Sequence, residues 1–170
     1  LLRRQMKNKF RIPLIVFTPK SLLRHPKVIS PIDELTKGTF KEILIDAADQ
    51  KNAKSIKRVL CCTGKVYYDL LDEKEKTNNK SVAIVRFEQL FPFSQKQLDH
   101  LFKTFSKSEW VWVQEEPGNM GALSHILRHI DFIDWTYICR PDSSTPATAS
   151  EKDHIRTQRD IVVESFKGFN

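Results

Sequence analysis

Five short apolar runs punctuate the chain: Ile12–Thr18, Ile56–Cys62, Val82–Phe87, Trp110–Gln114 and Trp135–Cys139. They are apolar at nearly every position rather than at alternate ones, which is the pattern of β-strands covered on both faces. Between the later runs the period lengthens. Leu98, Leu101, Phe102 and Phe105 recur at i, i+3, i+4 and i+7 behind a Ser94-to-Gln97 capping-box signal. Leu123, Ile126, Leu127 and Ile130 repeat that spacing after the turn signal Pro117-Gly118-Asn119. Val66, Tyr67, Leu70 and Leu71 mark a helix after the second run, and Ser150 with Asp153 opens a last helix towards Phe166, with Ile155, Val162 and Phe166 as its apolar face.

Strands alternating with helices predict right-handed crossovers and an α/β fold, a largely parallel sheet with helices on both faces. The first crossover is the exception. Residues 21–55, broken by Pro26, Pro31 and Gly38, make a long connection for a compact domain, so a partly irregular excursion is expected there. The Lys74–Lys80 stretch reads as a solvated helix end and turn.

A length of 170 residues suits one domain spanning 1–170, large enough to bury a core without disulfides or metals. Hydrophobic residues at 40% and charged residues at 29% exclude a disordered or collagen-like chain. No apolar run is long enough to span a bilayer, and Leu1-Leu2-Arg3-Arg4 lacks the order of a secretory signal. The three cysteines lie inside apolar runs and form neither a disulfide framework nor a metal-ligand spacing, so the cytoplasm or an equivalent reducing matrix is the expected compartment. Leu1–Lys9 has helical character with no capping residue ahead of it, and residues 1–11 are expected to be a connector from a preceding domain. The formal charge of +7 favours an anionic partner without choosing among nucleic acid, nucleotide and acidic protein.

In open parallel sheets ligands collect beyond the carboxyl ends of the strands. The segments there are Thr18–Lys27, Thr63–Lys65, Gln114–Asn119 and Arg140-Pro141, and three of the four carry cations. Thr63-Gly64-Lys65 leads directly into a helix, where free N–H groups and the helix dipole favour an anion, and Arg24 could add a second cationic grip. The motif falls short of the GxxxxGK[ST] phosphate loop, and a tight turn with a solvated lysine is its plain alternative. Glu115 and Glu116 are neighbours on a strand and point to opposite faces, which suits ion pairing better than a concerted acid–base pair. Cys61 and Cys62 read as inert core thiols. His125 and His129 have the i, i+4 spacing of zinc ligands but no third ligand accompanies them. Arg3, Arg4, Lys7, Lys9 and Arg11 form a basic arm that suits either nucleic acid or a connector helix. No nucleophile with an adjacent base is assembled.

Five blocks carry a resemblance: LLRRQ (Leu1–Gln5), PLIVFTPKSLLRHP (Pro13–Pro26), GKVYYDL (Gly64–Leu70), VAIVRFEQLFPF (Val82–Phe93) and QEEPGNMGA (Gln114–Ala122). In this order they closely resemble the carboxy-terminal domains of the 2-oxoglutarate dehydrogenase family, whose close relative is 2-oxoadipate dehydrogenase. The resemblance implies a three-layer domain like the transketolase carboxy-terminal domain, with five strands, mostly parallel and one antiparallel, that supports a homodimer. It also implies that thiamine diphosphate and Mg2+ lie in the preceding domains, so this chain holds no cofactor or catalytic residue and is inactive alone. The full enzyme would decarboxylate 2-oxoglutarate in the tricarboxylic acid cycle and succinylate the lipoyl group of dihydrolipoyl succinyltransferase, with dihydrolipoyl dehydrogenase completing the complex.

Actinobacterial members of the family use these strand-end loops for an allosteric acetyl-coenzyme A. The matching positions here are Arg24, Thr63, Lys65, Gln114 and Glu115, an expected site for acetyl-coenzyme A or AMP. Met120 and Leu123 depart from the family's usual Gln and Trp, Thr63 replaces a common Ser, and the tail Arg140–His154 is only loosely similar. The alternative from another class is a basic nucleic-acid-binding module, which rests on charge alone.

Overall fold

A computed structural model describes residues 2–169. They fall into two compact units, the first ending at Lys41 and the second starting at Glu42. The one-domain expectation for 1–170 took no account of this division.

The first unit holds two short helices, α1 (Leu2–Met6) and α2 (Ile32–Thr36), and a 3-10 turn at Lys20–Arg24. Leu1, the start of the expected connector helix, lies outside the described residues. Arg3 donates to the carbonyls of Leu35 (3.0 Å) and Thr36 (3.1 Å), which occupies carbonyls at the end of α2. Ile12–Thr18, expected as the first strand, belongs to no sheet. Its main chain makes no main-chain hydrogen bond among the described residues, and only the Gln5 side chain reaches it, donating to the Ile12 carbonyl at 2.7 Å. Pro13 has no N–H to give a ladder, and the apolar side chains stand in solvent, Ile15 at 75% and Phe17 at 95% exposure.

The first strand comes instead from inside the expected excursion. In the second unit β1 (Ile43–Ile45), β2 (Arg58–Cys62), β3 (Val82–Phe87), β4 (Glu109–Pro117) and β5 (Trp135–Arg140) form one sheet in the order β1-β3-β2-β4-β5. β1 runs antiparallel to β3, with Ile43 opposite Phe87, and every other pairing is parallel. With only three residues, β1 is too short to show a period, and Asp46 ends it by accepting the Ala48 N–H at 2.6 Å to start helix α3 (Ala47–Lys51).

Four further helices cover the sheet: α4 (Val66–Lys76), α5 (Gln95–Thr104), α6 (Leu123–His129) and α7 (Glu151–Phe166). Val59, Cys61, Val85 and Trp112 face Leu98 and Leu101 of α5 and Leu123 and Ile126 of α6. Leu60, Cys62, Ile84 and Val111 face Val66 and Leu70 of α4 and Ile161 and Phe166 of α7. Adjacent strand residues thus enter opposite cores, which is why the runs are apolar at consecutive positions. Each fully buried large side chain contributes about 2 kcal/mol of burial, and Phe87 on Trp112 adds an edge-to-face contact with ring centroids 5.9 Å apart. The three-layer, mostly parallel mixed sheet is the architecture expected.

Local details differ from expectation. Ser94 precedes α5 but makes no side-chain cap, and Gln97 donates to Glu42 at 2.8 Å instead of reaching back. Ser150 caps α7 by accepting the Asp153 N–H at 3.4 Å, but the buried face of that helix is Ile161 and Phe166 with Val162 half-buried, while Ile155 is exposed. Lys74, placed by the sequence on a solvated end, is drawn inward to bond Asp49 at 2.6 Å, and Asn79 turns its carbonyl to the N–H groups of Ser81 and Val82. No helix among the described residues is long and apolar enough to cross a membrane.

Candidate functional site at the strand-end rim

The turn Thr63-Gly64-Lys65 between β2 and α4 needs a residue with positive φ, and Gly64 supplies it at +73° with open space where a Cβ would stand. Lys65 follows, half-buried, with its ammonium 3.0 Å from Glu115 of β4 and 3.1 Å from Asp69 of α4. Asp69 in turn accepts from the Gln158 amide of α7 at 2.7 Å. The Gln158 oxygen accepts from Arg140 at the end of β5 (3.2 Å), and the same Arg140 nitrogen lies 3.1 Å from His154 Nδ1. Two strand ends, one loop and two helices are therefore joined by one chain of polar contacts. Burial, the largest single influence on Lys65, pulls its pKa down, but Glu115 and Asp69 together outweigh it and raise the pKa above the ordinary lysine value. Lys65 is a fixed, already neutralised cation.

Gln114 does different work. Adjacent strand residues alternate, so as Glu115 turns to Lys65, Gln114 turns into the opposite core, where it is 2% exposed. Its oxygen accepts from Trp112 Nε1 (3.0 Å) and the Leu123 N–H (2.9 Å), and its nitrogen donates to the carbonyls of Pro117 (3.0 Å) and Met120 (2.8 Å). The side chain thereby shapes the turn leading into α6, and its hydrogen-bonding capacity is filled from within the chain. The Thr63 hydroxyl donates to the Phe87 carbonyl at 2.8 Å, locking the β2 exit to β3. Arg24 belongs to the first unit, where it ends the 3-10 turn with an exposed side chain.

Sequence reasoning missed Arg86. The one cation in the apolar run of β3, it bonds the Tyr68 hydroxyl at 3.0 Å, lies with its Nε 2.6 Å from Glu88, and stacks its guanidinium 4.4 Å from the centre of the Tyr67 ring. A charged residue at an otherwise core-facing strand position was the signal available. Arg140 was visible only as a strand-end cation, and its partners His154 and Gln158, like Asp69, had no such signal, since their meeting depends on remote elements.

The cysteine and histidine readings gain physical content. Burial pushes the Cys62 thiol up to about 12 and the Cys61 thiol well above its ordinary value, which leaves neither with thiolate character. His125 Nε2 lies 2.8 Å from the Leu90 carbonyl and His129 Nδ1 lies 2.9 Å from the His125 carbonyl, so each imidazole is engaged by main chain. Among the described residues no three His, Cys, Asp or Glu side chains gather in a metal-binding group. In the basic arm, Arg3 is held as described, Arg4 stacks over Phe40 and Arg11 donates to the Asn8 carbonyl.

Taken chemically, the rim can admit an anion at Lys65 if that anion displaces a carboxylate. It presents no nucleophile and base in contact.

A sequence model of 2-oxoglutarate dehydrogenase C-terminal regions matches residues 29–166. A 2-oxoglutarate dehydrogenase E1 component of Haemophilus influenzae is 40% identical over 173 residues, covering 98% of this chain and 18% of the relative. That of Rickettsia felis is 38% identical over 175 residues with the same coverage. That of Brucella anthropi is 45% identical over 174 residues, covering 91% of this chain and 17% of the relative. The chain spans less than a fifth of the length of these curated relatives.

Proposed function

The chain belongs to the 2-oxoglutarate dehydrogenase C-terminal family, and from that premise we propose that it serves as the carboxy-terminal structural and regulatory domain of a 2-oxoglutarate-decarboxylating E1 component. The observation that carries this reading is the pairing of nearly complete coverage of this chain with coverage of only 18% of the Haemophilus influenzae relative. The longer polypeptide would decarboxylate 2-oxoglutarate as a homodimer in the cytoplasm or a similar reducing compartment. It would pass the succinyl group to the lipoyl group of the succinyltransferase, with dihydrolipoyl dehydrogenase as the third component. Thiamine diphosphate and Mg2+ do not fit the rim of this chain. Both of its inward carboxylates, Glu115 and Asp69, are turned onto Lys65, which leaves no open oxygen set for the metal. The cofactor's place falls to the rest of the polypeptide.

Within this reading the rim is the regulatory element. Lys65 held by Glu115 and Asp69 is a closed site, and an effector phosphate of acetyl-coenzyme A or AMP would open it by exchanging with a carboxylate. Thr63 and Gln114 keep the two flanking turns in shape.

The test is carbon dioxide release by the full polypeptide carrying this chain, with thiamine diphosphate, Mg2+ and an artificial electron acceptor, on 2-oxoglutarate and 2-oxoadipate in parallel. Faster turnover of 2-oxoglutarate is expected; preference for 2-oxoadipate assigns the neighbouring enzyme, and no turnover of either overturns the reading. For the rim, Lys65→Ala is expected to lower the ratio of stimulated to unstimulated rate with acetyl-coenzyme A or AMP. An unchanged ratio removes Lys65 from the regulatory proposal.

A further inference from the structure

We propose that the cavity between α6 and α7, along the open edge of β5, binds a small zwitterion of the apolar α-amino-acid class, with its carboxylate on Arg140 and its ammonium on Asp142 and Asp160. The proposal stands on this chain alone and is independent of the E1 reading.

The molecule supplies its own standard for an inward-turned cation. Arg58 meets Glu109 at 2.8 Å, Lys65 meets Glu115 at 3.0 Å, Lys74 meets Asp49 at 2.6 Å and Arg86 meets Glu88 at 2.6 Å. Each of these half-buried charges has a carboxylate against it, as a charge withdrawn from water requires. Arg140 is buried more deeply, at 8% exposure, and has no carboxylate partner among the described residues. Its Nη2 lies 3.1 Å from His154 Nδ1 and 3.2 Å from the Gln158 side-chain oxygen, neither of them anionic, and its Nε is buried without a partner. A guanidinium presents five N–H donors in a planar fork that matches a carboxylate, so most of this one's capacity is open to an anion.

The surroundings select the ligand. Arg140 lines a cavity of about 780 Å3, a size that suits a small molecule, and the sheet ends there because β5 is its last strand. Leu123 and Leu127 of α6, Tyr137 of β5 and Ile161 of α7 give it an apolar wall. Asp142 and Asp160 also line it, and neither makes a hydrogen bond or ion pair among the described residues, whereas Glu164 is held by Lys167 at 3.1 Å. A Cβ on Gly118 would stand 2.8 Å from Asp142 Oδ1, so that glycine leaves the carboxylate its room. A ligand with only a negative charge is repelled by the aspartates, and one with only a positive charge by the arginine. A ligand carrying both charges beside an apolar side chain satisfies every wall. A peptide's terminal carboxylate, laid as an added strand along β5, is the competing occupant that the experiment separates.

Titration calorimetry of the full polypeptide carrying this chain, with L-leucine and L-phenylalanine as probes, tests this directly. Saturable binding is expected, and 4-methylpentanoate, 3-methylbutylamine and glycine, each lacking one of the three features, should bind at least about tenfold more weakly than leucine. Arg140→Gln should weaken leucine by at least about tenfold. Asp142→Asn/Asp160→Asn changes two exposed positions and leaves the core alone, and it should abolish the advantage of leucine over 4-methylpentanoate. Binding of neither amino acid overturns the proposal, and so does an undiminished advantage in the aspartate variant. N-acetyl-leucine binding as tightly as leucine assigns the cavity to a peptide terminus and overturns it as well. The readout is heat of binding rather than turnover, so failure here leaves the E1 reading standing, and failure of 2-oxoglutarate turnover leaves the cavity untouched.

Discussion

The side-chain oxygen of Gln114 accepts the main-chain N–H of Leu123 at 2.9 Å, so a residue inside one β-strand positions the first residue of the following helix. The same amide satisfies an indole and two carbonyls, the Trp112 and Pro117 bonds buried and the Met120 bond half-buried. Gln114→Leu keeps the volume and removes every partner at once. It is expected to cost at least about 3 kcal/mol, because each stranded buried group loses its compensation. Urea unfolding monitored by tryptophan fluorescence checks this, and a loss below about 1 kcal/mol would contradict the clamp.

A second expectation concerns Asp49 and Lys74, which meet at 2.6 Å with side chains only 10% and 16% exposed. Lys74→Met leaves a carboxylate in a poorly solvated place, so a loss of about 3 kcal/mol is expected. The double variant Asp49→Leu/Lys74→Met should lose less than Lys74→Met alone. Additive losses in the double-mutant cycle would show that the two groups are not coupled.

Two glycines separate backbone strain from crowding. Gly64 has φ +73° with nothing near its missing Cβ, so Gly64→Ala carries only the left-handed penalty of about 1 kcal/mol. Gly121 has φ +67°, and a Cβ there would stand 3.0 Å from the Gln114 amide nitrogen. Since Gln114 is held by four partners and cannot give way, Gly121→Ala should cost clearly more. Equal unfolding midpoints for the two variants would refute the distinction.

The buried thiols set an alkaline limit. Cys62 titrates near 9.0 in an unfolded chain and is pushed up to about 12 by burial in the fold. Between those values the folded state holds a proton that the unfolded state has lost, so stability is intact below about pH 9 and falls as pH rises towards 12. Cys61 and Lys65, both raised, act in the same direction at high pH. Thermal midpoints should decline across this window, less steeply in Cys62→Ala once its neutral-pH loss is subtracted. With a thiol reagent at pH 8, Cys139, the least buried of the three, should label first; prior labelling of Cys62 in the folded protein would contradict the burial.

Much of the second unit was legible because its signals are short-range. β3 was read to its ends, β2, β4 and β5 to within three residues at either end, and helices α4 to α7 from period and punctuation. The site was legible in part. A cation after a glycine turn and carboxylates suited to ion pairing can be seen in Thr63–Lys65 and Gln114–Glu116, but which of the two carboxylates meets Lys65, and that Asp69 joins it, cannot. Period alone also failed at Ile12–Thr18, since it reports that a segment wants cover and backbone partners without saying where those partners are.

What the sequence by itself determined, then, was the set of segments able to be strands and helices and the family resemblance of its loops. Both are carried by neighbouring residues, through the alternation of side chains along a strand and the 3.6-residue turn of a helix. The tertiary structure alone decided that Ile43–Ile45 takes the antiparallel edge beside Val85–Phe87. It alone decided that Lys65 meets Glu115, that Gln114 turns the other way, and that Arg140 joins His154 and Gln158. Strand pairing and ion pairing depend on distances through space between residues far apart along the chain, and those distances exist only once the layers have packed.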